Sequence, residues 1–168
     1  MVYFVIGGSA SGKSEYAEKL AASISKGRQL YYIATMNAYG EESSERIKKH
    51  QKMREGKGFI TIECPKYISD IELYDRTGVA LLEDVSNLIS NLIYEDESTY
   101  DEIISKLNGF AEKFQDVIFV ANNISEDGCD YDSEIKAYIE MISKVNSYLC
   151  SISDSAYEIV VGLEVKIK

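Results

Sequence analysis

Residues 7–14 read Gly-Gly-Ser-Ala-Ser-Gly-Lys-Ser and fit G-x-x-x-x-G-K-[ST], the spacing of a phosphate-binding loop. In such a loop Gly7 and Gly12 admit positive φ and close backbone approach. Lys13 reaches the β and γ phosphates, and the Ser14 hydroxyl ligates Mg²⁺. The plainer alternative is a glycine- and serine-rich turn that binds nothing. The flanks speak against it: Val2 to Ile6 is an apolar run of strand length, and Ala17, Leu20, Ala21 and Ile24 recur at helical spacing. The loop therefore opens a helix, where free N–H groups and the positive end of the dipole face a polyphosphate.

Two further groups could do chemistry. Glu83-Asp84 closes a short apolar run, where a phosphate-loop enzyme places the carboxylate on its Mg²⁺ side. The alternative is an acidic pair capping the next helix. The second group is basic: Arg46, Lys48, Lys49, Lys52 and Arg54 surround His50, the chain's one histidine. On a helix Arg46, His50 and Arg54 share a face. Neighbouring cations favour neutral imidazole, a nucleophile, and could stabilise phosphoryl oxygens during attack at phosphorus. The alternative is a solvated basic helix with an incidental histidine.

These groups need elements to hold them. Leu30 to Thr35 reads as a second strand, Ser43 to Arg54 as a charged helix and Phe59 to Glu63 as a strand. Pro65 suits the first turn of a short helix over Lys66 to Leu73. Val79 to Leu82 is a strand. Val85, Leu88, Ile89, Leu92 and Ile93 mark a helix, and the apolar positions from Ile103 to Phe114 mark another. Val117 to Ala121 is a strand, Ile135 to Leu149 a long helix, and Ile159 to Val161 and Val165 to Lys168 are closing strands. Short apolar strands alternating with amphipathic helices predict a mostly parallel α/β sheet. Ligands bind beyond the carboxyl ends of such strands. That directs attention to Gly7 to Ser14, Thr35 to Arg54, Glu83-Asp84 and Asn122-Asn123.

Composition narrows the function. At 168 residues one domain over 1–168 is expected. A balance of 18 basic and 28 acidic residues, net charge −10, argues against a nucleic-acid partner. No apolar run approaches the ~18 residues of a membrane span. The run at Val2 to Ile6 lacks the length and basic flank of a signal peptide, so a cytoplasmic protein is expected. Cys64, Cys129 and Cys150 are too scattered for a zinc site.

In order and spacing, several segments resemble the bifunctional adenosylcobinamide kinase / adenosylcobinamide-phosphate guanylyltransferase family of cobalamin biosynthesis. They are the loop at Gly7-Gly8 through Ser14, Tyr32-Ile33-Ala34-Thr35, Arg46-Ile47 with His50, Glu63-Cys64, Leu81-Leu82-Glu83 with Asn91-Leu92, Val145-Asn146, and Val160-Val161-Gly162 with Lys166-Ile167-Lys168. The resemblance implies a RecA-like three-layer phosphate-loop NTPase fold with a mostly parallel central sheet. It implies transfer of the γ-phosphate of ATP or GTP to the aminopropanol hydroxyl of adenosylcobinamide. It also implies guanylylation of a histidine by GTP and passage of GMP to the cobinamide phosphate, giving adenosylcobinamide-GDP. By the same resemblance His50 is the guanylylated histidine and Lys13 its catalytic companion in the loop. The nucleotide contacts would be Gly7, Gly8, Ser9, Ala10, Ser11, Gly12, Lys13, Ser14, Ala34, Thr35, Met36, Gln51, Lys52, Met53, Arg54, Glu63 and Glu83. Ser14 and Glu83 would stand on the Mg²⁺ side, and a homo-oligomer, often a trimer, is implied.

The chain departs from the family pattern at Ala10, where Arg is usual, at Asn122-Asn123-Ile124-Ser125, and between Asp130 and Lys144, which has no Arg. These departures bear on the acceptor. A phosphate-loop kinase for another small alcohol and a non-catalytic nucleotide switch are the competing readings.

Overall fold

The computed structural model describes residues 1–37, 45, 48, 51, 52, 56–72, 76–124 and 131–168. The apolar runs become strands: Val2–Gly7 (β1), Leu30–Ala34 (β2), Phe59–Glu63 (β3), Val79–Glu83 (β4), Asp116–Asn122 (β5), Ser155–Val160 (β6) and Leu163–Lys166 (β7). They form one sheet in the order β3-β2-β4-β5-β1-β6-β7. Every pair is parallel except the terminal β6–β7 hairpin.

The amphipathic stretches become helices: Lys13–Ser25 (α1), Val85–Asp96 (α2), Tyr100–Ala111 (α3) and Ser133–Ile152 (α4). Side-chain caps start the last three. Asp84 accepts from the Asn87 N–H, Thr99 and Glu102 form a capping box, and Asp132 accepts from the Ile135 N–H. Such caps each stabilise a helix by about 1 kcal/mol.

Strand alternation sorts the core into two layers. Val5, Leu30, Tyr32, Val79, Leu81, Ile118 and Val120 face α1 through Ala17 and Ala21. Phe4, Tyr31, Ile33, Ala80, Leu82 and Phe119 face α2, α3 and α4 through residues such as Leu88, Leu92, Leu107, Phe110 and Val145. The result is the expected helix–sheet–helix sandwich. Each large side chain it removes from water contributes ~1.5–3 kcal/mol.

The largest departures from the sequence reading are three. In place of the helix expected over Lys66 to Leu73, the described part, Lys66 to Glu72, holds a single 3-10 turn, Ile68–Asp70, and Leu73 lies outside the described residues. Ile68 is fully buried and Ile71 only partly, and Glu72 stands at i+4 where a helix would continue its apolar stripe. β6 begins at Ser155, four residues before the apolar run at Ile159, because it pairs with β1 through main-chain bonds that its polar side chains do not reveal. β7 begins at Leu163, two residues early. Residues 45, 48, 51 and 52 are helical and exposed, in keeping with the charged helix expected there. Among the described residues no helix is long and apolar enough to cross a membrane.

Candidate active site

The parallel strands end together, so Gly7, Ala34, Glu63, Glu83 and Asn122 form one rim. Between β1 and α1 the chain turns through residues 8–12, with Ala10 at φ 56° and Gly12 at φ 93°. A side chain at Gly7 would stand 2.5 Å from Ser11 Oγ and 2.6 Å from the Ile159 carbonyl, so only glycine fits. Gly12 is the N-cap of α1 and supplies no capping side chain. The first N–H groups of the helix are thus left to an external acceptor.

The loop is fastened from both sides. The Asn123 N–H donates to the Gly7 carbonyl at 3.0 Å, and the Gly162 N–H in the β6–β7 turn donates to the Ser11 carbonyl at 2.7 Å. Gly8, Ser9 and Ala10 are exposed at the tip. Lys13 is buried, and its Nζ donates to the Gly8 carbonyl at 3.2 Å, inside the ring of the loop.

Alternation on β4 puts Glu83 on the α1 face of the sheet. There the Ser14 hydroxyl donates to Glu83 Oε1. Glu83 Oε2 is buried and unpartnered, as is Ser11 Oγ. Burial pushes the Glu83 carboxyl above its ordinary range, against the Ser14 and Tyr32 hydroxyls and Lys13, which favour the charged form. A buried carboxylate oxygen without a partner, beside a serine hydroxyl, is a pair of hard oxygen donors and fits Mg²⁺. Among the described residues no three His, Cys, Asp or Glu side chains cluster to hold a metal. Phosphate and water oxygens are the ligands with which Mg²⁺ commonly completes such a shell.

Asp84 goes the other way. Its Oδ1 accepts from the Asn87 N–H at 2.6 Å and its Oδ2 from Asn122 Nδ2 at 3.1 Å. Burial, with help from Glu83, raises its pKa to about 6, against the Asn87 and Asn122 hydrogen bonds and Lys13. Of the two readings open for the acidic pair, the helix cap falls to Asp84, and Glu83 meets the loop.

The remaining candidates lie along the rim. Ala34 sits between Glu83 and Glu63 in register and puts a small side chain between the two carboxylates. Thr35 is buried: its hydroxyl donates to the Asp84 carbonyl at 2.8 Å and its N–H to the Glu83 carbonyl at 3.1 Å. Its side chain is thereby committed to the protein. Met36 is half-buried and Glu63 exposed. Gln51 and Lys52, with Lys48, line an open groove of about 450 Å³ against Phe59 and Thr61 of β3. That volume is of ligand size. His50, Met53 and Arg54 lie outside the described residues, as do Arg46 and Lys49.

Sequence reasoning missed, or quoted without a role, several groups that build this rim. Glu18 of α1 is buried and pairs with Lys57 at 2.5 Å, which ties the chain entering β3 to α1. A charged residue one place from Ala17 on the inward stripe of α1 was the available signal. Asn91 of α2 bonds the strand exits at Thr35 and Pro65. Asn146, matched to the family with Val145 but given no role, donates to the Asn122 carbonyl at 3.2 Å and keeps a buried, unpartnered Oδ1.

Among solved structures, the chain is similar to the flagellar accessory protein FlaH of Methanocaldococcus jannaschii. The TM-score is 0.52 at 14% identity, over 94% of this chain and 70% of that one. It is similar to the ATPase domain of G40P with the same TM-score at 11% identity, over 94% and 68%. These likenesses show that the chain shares the fold of those proteins. Among characterised sequences, it is 26% identical over 185 positions to the bifunctional adenosylcobalamin biosynthesis protein CobU of Escherichia coli, and 25% identical to CobU of Salmonella typhimurium. Both alignments cover the full length of each partner. The family model for cobinamide kinase / cobinamide phosphate guanyltransferase matches residues 3–167. With a phosphate loop fastened to a buried carboxylate at the carboxyl rim and a match over nearly the whole sequence, the chain belongs to the cobinamide kinase / cobinamide phosphate guanyltransferase family of transferases.

Proposed function

We propose that this protein phosphorylates adenosylcobinamide with ATP or GTP and then transfers GMP from GTP to the product, through guanylyl-His50. The observation that carries the reading is the Ser14 hydroxyl bonded to Glu83 at the mouth of the Gly7 to Ser14 loop, in a chain matched to the family over 3–167.

In the first reaction the loop N–H groups and Lys13 hold the β and γ phosphates. An oxygen of the aminopropanol hydroxyl bonds to γ-phosphorus, the bond from γ-phosphorus to the β-bridging oxygen breaks, and the hydroxyl proton is released. Catalysis here is mostly positioning and charge stabilisation. Bound Mg²⁺, held through Ser14 and Glu83, supplies charge neutralisation on the phosphate oxygens.

In the second reaction an imidazole nitrogen of His50 bonds to the α-phosphorus of GTP as pyrophosphate leaves. A phosphate oxygen of the cobinamide phosphate then displaces the imidazole and forms the new pyrophosphate link. Ala34, Thr35, Met36, Gln51, Lys52, Met53, Arg54, Glu63 and Glu83 make up the nucleotide's surroundings on this reading, with Thr35 acting through its main chain. The chain works as one nucleotide-binding domain in the cytoplasm, where nucleotide is plentiful. The exposed apolar residues Val160, Val161, Leu163 and Val165 on the β6–β7 hairpin support assembly into a homo-oligomer.

Intact-mass measurement after incubation with Mg²⁺ and GTP tests the mechanism. The wild type should gain one acid-labile GMP, and His50→Ala should gain none. A folded, GTP-binding wild type that never forms the adduct would leave a plain kinase or a switch.

A further inference from the structure

We infer that Asn91 is a positioning residue for the nucleoside side of the nucleotide site. The inference rests on the reading that the exits of β2 and β3 contact nucleotide.

The ladder between those strands ends at the pair Ala34 and Glu63, with the Cys64 N–H on the Ala34 carbonyl at 2.8 Å as its last bond. Beyond that point Asn91 takes over. Its Nδ2 donates to the Thr35 carbonyl at 2.9 Å and to the Pro65 carbonyl at 3.0 Å. Its Oδ1 accepts from Asn37 Nδ2 at 3.1 Å, and the same Asn37 amide reaches Glu95 Oε1 at 3.0 Å. Glu95 in turn pairs with Lys66 at 3.0 Å, just past Pro65. One amide therefore uses both donors and its acceptor on two strand exits and the start of the loop that follows β2.

Asn91 stands on α2 beside Leu88 and Leu92, which are fully buried. An apolar residue there would extend the packed stripe, but it would leave two carbonyls without a donor. The phosphate loop is fastened separately, through Gly162 and Asn123. Loss of Asn91 should loosen Thr35, Met36 and Glu63 and spare the phosphate side.

The test compares Mg²⁺·GTP with Mg²⁺·tripolyphosphate by calorimetry, since the second ligand has phosphates and no nucleoside. The wild type should bind GTP more tightly. Asn91→Ala should weaken GTP about tenfold, from the two orphaned carbonyls, and leave tripolyphosphate unchanged. Asn37→Ala, which removes the two outer bonds to Asn91 and Glu95 and keeps both carbonyls on Asn91, should weaken GTP several-fold and also spare tripolyphosphate. Should Asn91→Ala fail to fold, Asn37→Ala decides. A parallel loss of both ligands, or an unchanged GTP affinity, would overturn the inference. A wild type that binds GTP no more tightly than tripolyphosphate would overturn the nucleoside contacts themselves, and the inference with them.

Discussion

The two edges of the sheet treat buried polar groups in opposite ways. At the amino edge Asp116 is buried and meets Arg28 at 2.6 Å, while Arg28 also donates to the carbonyls of Ile24, Ser25 and Thr77. That charge pair is bonded through and through, and it joins the end of α1 to β5 and the turn before β4. At the carboxyl edge Glu83 Oε2 and Ser11 Oγ are buried without partners, and the first turn of α1 has no side-chain cap. An unpaired buried polar group costs about 1–3 kcal/mol, more when charged. Among the described residues that cost falls at this edge, which on the proposed reading is where a polyphosphate and a cation would complete the set. On the proposed reading, completed polar groups hold the fold and incomplete ones are left for a ligand.

Substitutions can break that contrast, beginning with the largest effect. Lys13→Ala should lower both transfer reactions about 10²–10³-fold in a steady-state assay, while circular dichroism reports an intact fold. Gly7→Ala and Gly78→Ala form a matched pair. Each new Cβ would meet an atom closer than 3.0 Å: Ser11 Oγ and the Ile159 carbonyl for Gly7, and the Tyr31 ring and Gln29 carbonyl for Gly78. Each should cost about 1–3 kcal/mol by chemical denaturation. Only Gly7→Ala, at the carboxyl edge, should also abolish the rise in melting temperature produced by Mg²⁺·GTP.

The smallest effect sharpens the contrast through pH. Asp84 has a folded pKa of about 6 against an ordinary 3.8. Between those values the unfolded chain releases the proton and the folded chain keeps it, so stability falls as pH rises through that window. The nucleotide-free wild type should lose about 2 kcal/mol relative to Asp84→Asn between pH 4 and 6, followed by urea titration. Equal slopes for the two proteins would contradict this.

Much of the carboxyl edge was legible in the sequence because it is local. The Gly7 to Ser14 loop is contiguous, and its strand and helix flank it directly. Glu83-Asp84 could be placed at a strand end, but not divided into two roles. Strand alternation and the position of Ser14, 69 residues away, make that division. The clamp through Asn91, Thr35 and Pro65 and the pair Glu18–Lys57 join residues 26 to 56 positions apart. No short spacing records such contacts. The short turn at Ile68–Asp70 went unread for the opposite reason, since Pro65 and scattered apolar residues suited a helix that the anchoring of Ile68, with Ile71 only half-buried beside it, does not build. His50 was singled out by its basic neighbours and by the family resemblance.

The most direct test of the contrast is Glu83→Gln, melted without ligand and again with saturating Mg²⁺·GTP at pH 7. A glutamine keeps the size and removes the buried charge. The account predicts a metal-free melting temperature a few degrees above the wild type, together with loss of most of the stabilisation by Mg²⁺·GTP. A variant that melts below the wild type and still gains the full ligand-induced shift would show that Glu83 is part of the scaffold, and that the open carboxylate at this edge is not there for a cation and a nucleotide.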